Sequence, residues 1–131
     1  MPLPKQRGEI SRFLKALVPD LRVIEACHTH QLENMVDIWV PQMNFLRDGL
    51  DFYHERQAQG DEAWYYTCLA PKGEWANRFV ELPLIKTRLL HWVNYKYSIP
   101  GYLHWGFNFW GSNSGIVTGE DPYDDVSGMI V

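Results

Sequence analysis

Cysteine is scarce in this chain. Two residues, Cys27 and Cys68, in 131 do not make a disulfide framework, and both read as buried free thiols. Basic charge is short as well: 12 Lys and Arg stand against 16 Asp and Glu, a net charge of −4. Phosphate backbones need a basic stripe, and none is visible, so nucleic acid is excluded as a partner. No apolar run approaches the roughly 20 residues of a membrane span, so no membrane partner is expected. The first eight residues, Met1 to Gly8, lack the apolar core of a signal peptide, and nothing else assigns a compartment. No internal repeat or low-complexity tract appears, and no glycine-rich phosphate loop follows a strand-like run.

Aromatics, by contrast, are abundant, at 15% of the residues. Five of the six tryptophans fall between Trp64 and Trp110. Aromatic rings build cores, and they also build ligand surfaces. The length suits one domain.

Hydrophobic spacing gives the order of elements. Residues 1–8 read as a lead-in. Glu9 to Leu17 reads as a helix with Ile10, Phe13, Leu14 and Leu17 on one face, stopped at Val18-Pro19-Asp20. Leu21 to Cys27 and Val36 to Val40 are strand-like. Only about eight residues join them, with one helical turn at Gln31 to Met35 as the crossover. Met43 to Gln59 is a helix with Met43, Leu46, Leu50 and Tyr53 on one stripe and Gly60 as its stop. Ala63 to Leu69 is a third strand. A loop from Ala70 to Leu82 leads to a helix opened by Pro83, with Ile85, Leu89, Trp92 and Val93 as its buried face. Tyr102 to Phe107 is a fourth strand. Residues 111–131 read as an irregular tail with no closing element.

Strands separated by helices imply parallel pairing and an α/β class. Four parallel strands make a small open sheet or half of a (β/α)8 TIM-type barrel. The half barrel fits better, because Cys27-His28, Trp39-Val40-Pro41, Thr67-Cys68 and Asn108-Phe109-Trp110 then share the C-terminal rim, where such barrels keep their functional residues.

One block carries a more specific pattern. Trp64-Tyr65-Tyr66-Thr67-Cys68, Ala76-Asn77-Arg78-Phe79, Pro83-Leu84 with Thr87-Arg88, and Gly101-Tyr102-Leu103-His104-Trp105-Gly106 with Asn108 and Trp110 occur in order. The pattern resembles the C-terminal half of the catalytic domain of glycoside hydrolase family 123, over roughly Ile10 to Tyr123. The resemblance implies a (β/α)8 barrel and a retaining β-N-acetylgalactosaminidase. In that family the substrate's own 2-acetamido group is the nucleophile, oriented by an Asp and served by an adjacent Glu as acid/base. This is the neighbouring-group exception to the two-carboxylate scheme.

The only Asp-Glu dipeptide here, Asp61-Glu62, precedes the third strand. It is expected on the order of 20 Å from the rim and reads as a solvated turn. The chain is therefore expected to supply sugar-binding wall without the acid/base pair, and to be inactive by itself. Its expected partners are an N-acetylhexosamine-containing glycan and either the N-terminal half of the barrel or a second copy. No cofactor is implied.

The candidate substrate-binding residues are His28, Trp39, Tyr66, Asn77, Arg78, Trp105, Asn108 and Trp110. Rings stack on the C–H faces of sugars, while amides and guanidinium groups bind their hydroxyls. Alternate residues of a strand share a face, so either Trp64 and Tyr66 or Tyr65 and Thr67 face the barrel interior. Asp37, between Val36 and Ile38, is the weak candidate for a remaining catalytic carboxylate, followed by Glu25. Arg88 reads as structural and His104 as a core histidine. Two other readings stay open: a non-catalytic carbohydrate-binding or assembly module, and a metal-dependent hydrolase using His28 and His30.

Overall fold

The computed structural model describes residues 4–104, 108–109 and 129–130. Ten elements follow in order: α1 (Pro4–Leu17), β1 (Ile24–Glu25), β2 (Ile38–Trp39), α2 (Met43–Asp48), α3 (Leu50–Ala58), β3 (Glu62–Tyr66), α4 (Leu84–Tyr97), β4 (Gly101–Leu103), β5 (Asn108–Phe109) and β6 (Met129–Ile130). The strands β1 to β4 form one sheet in sequential order, and every pair in it is parallel. The chain therefore has an α/β fold, with the layout of half a (β/α)8 barrel.

The register sorts the side chains. Ile24 pairs with Ile38 and Ile38 with Glu62, while Trp39 pairs with Ala63. Trp64, Tyr65 and Tyr66 pair with Gly101, Tyr102 and Leu103. Paired residues of parallel strands share a face. Trp39, Ala63, Tyr65 and Tyr102 thus point to the helices. Trp39 meets Phe52 of α3 edge-on at 5.3 Å, and the Tyr65 hydroxyl donates to the Leu90 carbonyl of α4 at 2.5 Å. Trp39, Ala63 and Tyr65 are wholly buried. Trp64 and Tyr66 lie on the opposite, open face, and both stay partly exposed. Of the two alternatives for β3, the interior pair is Trp64 and Tyr66. Gly101 is needed under Trp64, because a Cβ there would overlap the indole ring.

The short link from β1 to β2 closes through a turn over residues 31–35, with Leu32 buried in it and Val36 buried just after it. The single helix expected from Met43 to Gln59 is broken at Gly49, whose φ of −114° and ψ of 21° leave the helical region. Glycine resists helix, and here Tyr53 and His30 crowd the site of a Cβ. The stop at Gly60 is a Schellman cap: Gly60 (φ 102°) donates to Gln57 and Asp61 donates to Arg56. Ser98 closes α4 in the same way, with φ 53° and the Ile99 N–H on the Asn94 carbonyl. The Asn94 amide then donates to the carbonyls of Ile99 and Gly101, which fixes the start of β4.

Several expectations need correction. Residues 4–8 are not a lead-in, since α1 begins at Pro4. The stripe on α1 is present but not buried: Phe13 is 63% and Leu17 65% exposed. In α4 the buried residue is Leu90, one position from the expected face, and Ile85, Leu89 and Trp92 are exposed. Among the described residues nothing covers those sides of the two helices, so periodicity found the stripes and could not say what covers them. Met129 and Ile130 pair antiparallel with Phe109 and Asn108, where no closing element was expected; the rest of 111–131 lies outside the described residues.

Candidate functional site

The C-terminal ends of β1 to β3 converge on one polar contact. His28 follows β1, and Tyr66 ends β3. The His28 Nε2 lies 3.0 Å from the Tyr66 hydroxyl. The imidazole stacks on Phe45 of α2 at 4.1 Å and 18°. Tyr66 is seated by its own backbone, whose N–H donates to the Pro41 carbonyl after β2. One side chain from β1, backbone from β2 and one side chain from β3 thus meet. Burial lowers the His28 pKa below its ordinary value, so the ring is neutral near pH 7. Burial, with the Cys68 and Cys27 thiols adding, raises that of Tyr66. The pair is a neutral hydrogen-bonding couple, able to bind hydroxyl or amide groups and stack on apolar faces.

Farther along the edge, the Thr67 Oγ1 lies 2.5 Å from the Tyr102 hydroxyl. His104 stacks near Tyr102 at 6.4 Å. Its pKa is lowered by burial and by the nearby charge of Arg78. Arg78 is held there by Asn77. The Asn77 amide is buried and donates to the Cys68 and Pro71 carbonyls at 3.0 Å each, beside the cis Ala70–Pro71 bond. Its oxygen accepts the Arg78 N–H at 2.8 Å.

Of the residues singled out by sequence, the structure brings together His28 and Tyr66, with Arg78 farther along the same edge. Two choices need correction. Trp39 is wholly buried on the helix side, its indole N–H donated to Asp61, so it presents nothing to a ligand. Asn77 spends both amide hydrogens on its own loop, so its work is to shape that loop. Trp105 and Trp110 lie outside the described residues, and so does the Asn108 side chain. Cys27 is buried as expected, but Cys68 is only partly so.

The carboxylates are corrected too. Asp37 stands just before β2, at the sheet's opposite edge. Its oxygens accept from Lys15 at 2.6 Å and from the Val23 N–H at 2.7 Å. Desolvation pushes its pKa up, but those two hydrogen bonds outweigh it and hold the carboxyl below its ordinary range. A strongly ionised carboxylate tied to a helix is a structural brace and not a general acid. Asp61 is no solvated turn. Its Oδ2 accepts from the Trp39 indole at 2.8 Å and from Arg56 Nε at 2.8 Å, and that guanidinium is only 6% exposed. Glu62 accepts from Trp64 Nε1 at 2.9 Å and pairs with Arg22 at 2.8 Å; the Trp64 and Arg22 bonds lower its pKa. The dipeptide does lie at the N-terminal end of β3, away from the edge that carries Tyr66.

The metal reading also lacks geometry. His28 stacks on Phe45, while His30 stacks on Phe52 at 3.9 Å and meets Tyr53 edge-on. Among the described residues no three His, Cys, Asp or Glu side chains gather into a metal-binding group. Sequence reasoning missed Phe45 as the seat of His28. The available signal was an apolar residue off the Met43, Leu46, Leu50 stripe.

A parallel βα sheet with a histidine–tyrosine couple on its C-terminal edge defines the class: an α/β fold with the layout of half of a (β/α)8 barrel. Residues 3–130 match the model described as glycoside hydrolase 123, catalytic domain, and the chain belongs to that family. A comparison with curated proteins gives no match.

Proposed function

We propose that this chain forms the sugar-binding wall of a barrel that removes terminal β-N-acetylgalactosamine with retention, and that it holds no acid/base pair of its own. The observation that carries this reading is the segregation of the two edges of the sheet. The C-terminal edge carries neutral hydrogen-bonding and aromatic groups, His28, Tyr66 and Phe45. Asp37, Asp61 and Glu62 sit at the N-terminal edge in ion pairs, while Glu25, the last residue of β1, is in register with Trp39 and so lies on the helix side of the sheet.

In the proposed reaction the substrate's 2-acetamido oxygen attacks the anomeric carbon, and the leaving oxygen takes a proton from a carboxylic acid outside the C-terminal edge described here. The role of this chain is to hold the ring for that attack. Tyr66, positioned by His28, hydrogen-bonds a sugar hydroxyl or amide, and Arg78 binds a further hydroxyl. Trp105, Asn108 and Trp110 are proposed as further sugar-binding residues from the sequence pattern alone. The rest of the barrel is supplied by a partner half, which covers the open face of Trp64 and Tyr66.

The test is hydrolysis of an aryl β-N-acetylgalactosaminide by the purified 131-residue chain. Background rates are expected; release of the aryl alcohol well above background would sink the proposal. A second reading, glycan binding without any cleavage, rests on the same edge. It is favoured if calorimetry detects N-acetylgalactosamine but no partner half restores turnover.

A further inference from the structure

We propose that two copies of this chain pair through their outer helices, the α1 of each lying in the groove between α2–α3 and α4 of the other. The inference rests on those helices alone and stands whether or not the glycosidase reading does.

The first observation is that α1 sits the wrong way round. It buries Gly8 and Ser11 and half-buries Lys15, while Ile10, Phe13, Leu14 and Leu17 face solvent at 38–65% exposure. A helix on a globular body normally turns its apolar stripe inward. Here the polar side is held in place: Lys15 pairs with Asp37 at 2.6 Å, and Gly8 lies against Met35. The outward stripe has the i, i+3, i+4, i+7 spacing with which a helix enters an apolar groove.

The second observation is such a groove on the same chain. A cavity of about 740 Å³ runs between the α2–α3 arm and α4. Leu46 and Leu50 line one wall, Leu89, Trp92 and Val93 the other, and Trp75 also lines the cavity. Leu89 and Trp92 are exposed, Trp92 at 65%, although both are large and apolar. Contiguous exposed apolar surface of this kind marks a binding face.

The chain's own α1 cannot fill the groove where it stands. It is anchored at the β1–β2 side, by Asp37 and Met35, whereas the groove flanks β3 and β4. The occupant with the matching ridge is a second copy. A two-fold arrangement satisfies both molecules at once, each giving one ridge and receiving one. A 14-residue helix is about 21 Å long and about 10 Å wide, so each contact removes on the order of 500 Å² from solvent. Two contacts give on the order of 1,000 Å², the low end for a specific interface, so dissociation in the micromolar range is expected.

Sedimentation velocity of the 131-residue chain from about 1 to about 200 μM tests this. A reversible monomer–dimer equilibrium is expected. Phe13→Glu on the ridge and Leu89→Glu in the groove should each weaken it at least tenfold, with circular dichroism unchanged. An equimolar mixture of the two variants should regain part of the loss, because one intact ridge then meets one intact groove. The milder Phe13→Leu and Leu89→Met should dimerise like the parent. A monomer at every concentration would overturn the proposal. So would a dimer that neither charged variant weakens, which would point to pairing through the open sheet, and so would a mixture with no recovery.

Discussion

Replacing Asp61 by alanine should destabilise this chain far more than a surface substitution does. One oxygen of Asp61 receives the Trp39 indole N–H at 2.8 Å and two guanidinium nitrogens of Arg56, Nε at 2.8 Å and Nη2 at 2.7 Å. Arg56 is 6% exposed and the Asp61 side chain 15%. Removing one partner of a buried pair generally costs about 3–5 kcal/mol, because a charge stays behind in low dielectric. Here the Arg56 guanidinium keeps Gln59 at 2.8 Å and a loose contact with Glu33 at 3.9 Å. The loss should therefore fall near the lower end, about 3 kcal/mol. With a urea slope of about 1.5 kcal/mol per molar for a chain of this size, the midpoint drops by about 2 M.

Urea unfolding followed by tryptophan fluorescence reads this change. Asp61→Asn retains an acceptor for Trp39 without the charge and should lose about half as much. The paired substitution Arg56→Met with Asp61→Leu should be milder than Asp61→Ala, since no charge is stranded. A loss below about 0.5 kcal/mol for Asp61→Ala, the range of ordinary surface changes, would refute the clamp. It would return Asp61 to the solvated turn that its sequence position suggests.

Other outcomes follow from the same contacts. Asp37 has a depressed folded pKa, so its contribution to stability is present above the unfolded value of about 4 and lost as pH falls through the folded value. Asp37→Asn should flatten the acid limb of a stability-against-pH curve and change little of the slope above about pH 5. Gly101→Ala forces the Trp64 ring off the strand and should cost about 1–3 kcal/mol, read as a lowered melting temperature. Asn77→Ala strands the Cys68 and Pro71 carbonyls, which should destabilise by about 1–3 kcal/mol and speed proteolysis within residues 68–82.

The elements were legible because their signals are local. Gly60 and Pro83 marked helix boundaries, and the aromatic run 64–66 marked the strand the sheet is built on. Parallel pairing followed from the alternation of types. The faces were less legible. Trp39 and Trp64 are both tryptophans in strands beside apolar neighbours, and only the register shows that one faces the helices and the other the open side. Asp61 looked like a turn residue because its partners are 22 residues back at Trp39 and five back at Arg56, and neither spacing carries a local signature. His28 was recognisable as an edge residue from its place after a strand. Its seat on Phe45 and its bond to Tyr66, 38 residues away, belong to tertiary structure.

The central claim is that the sugar lies against the C-terminal edge. Titrating N-acetylgalactosamine into the isotopically labelled chain and following the His28 and Tyr66 side-chain resonances tests it most directly. Saturable shifts at both residues, abolished in Tyr66→Ala and absent from Asp37 and Asp61, are expected. Shifts confined to the Asp37 and Asp61 edge, or none at any concentration, would contradict the account.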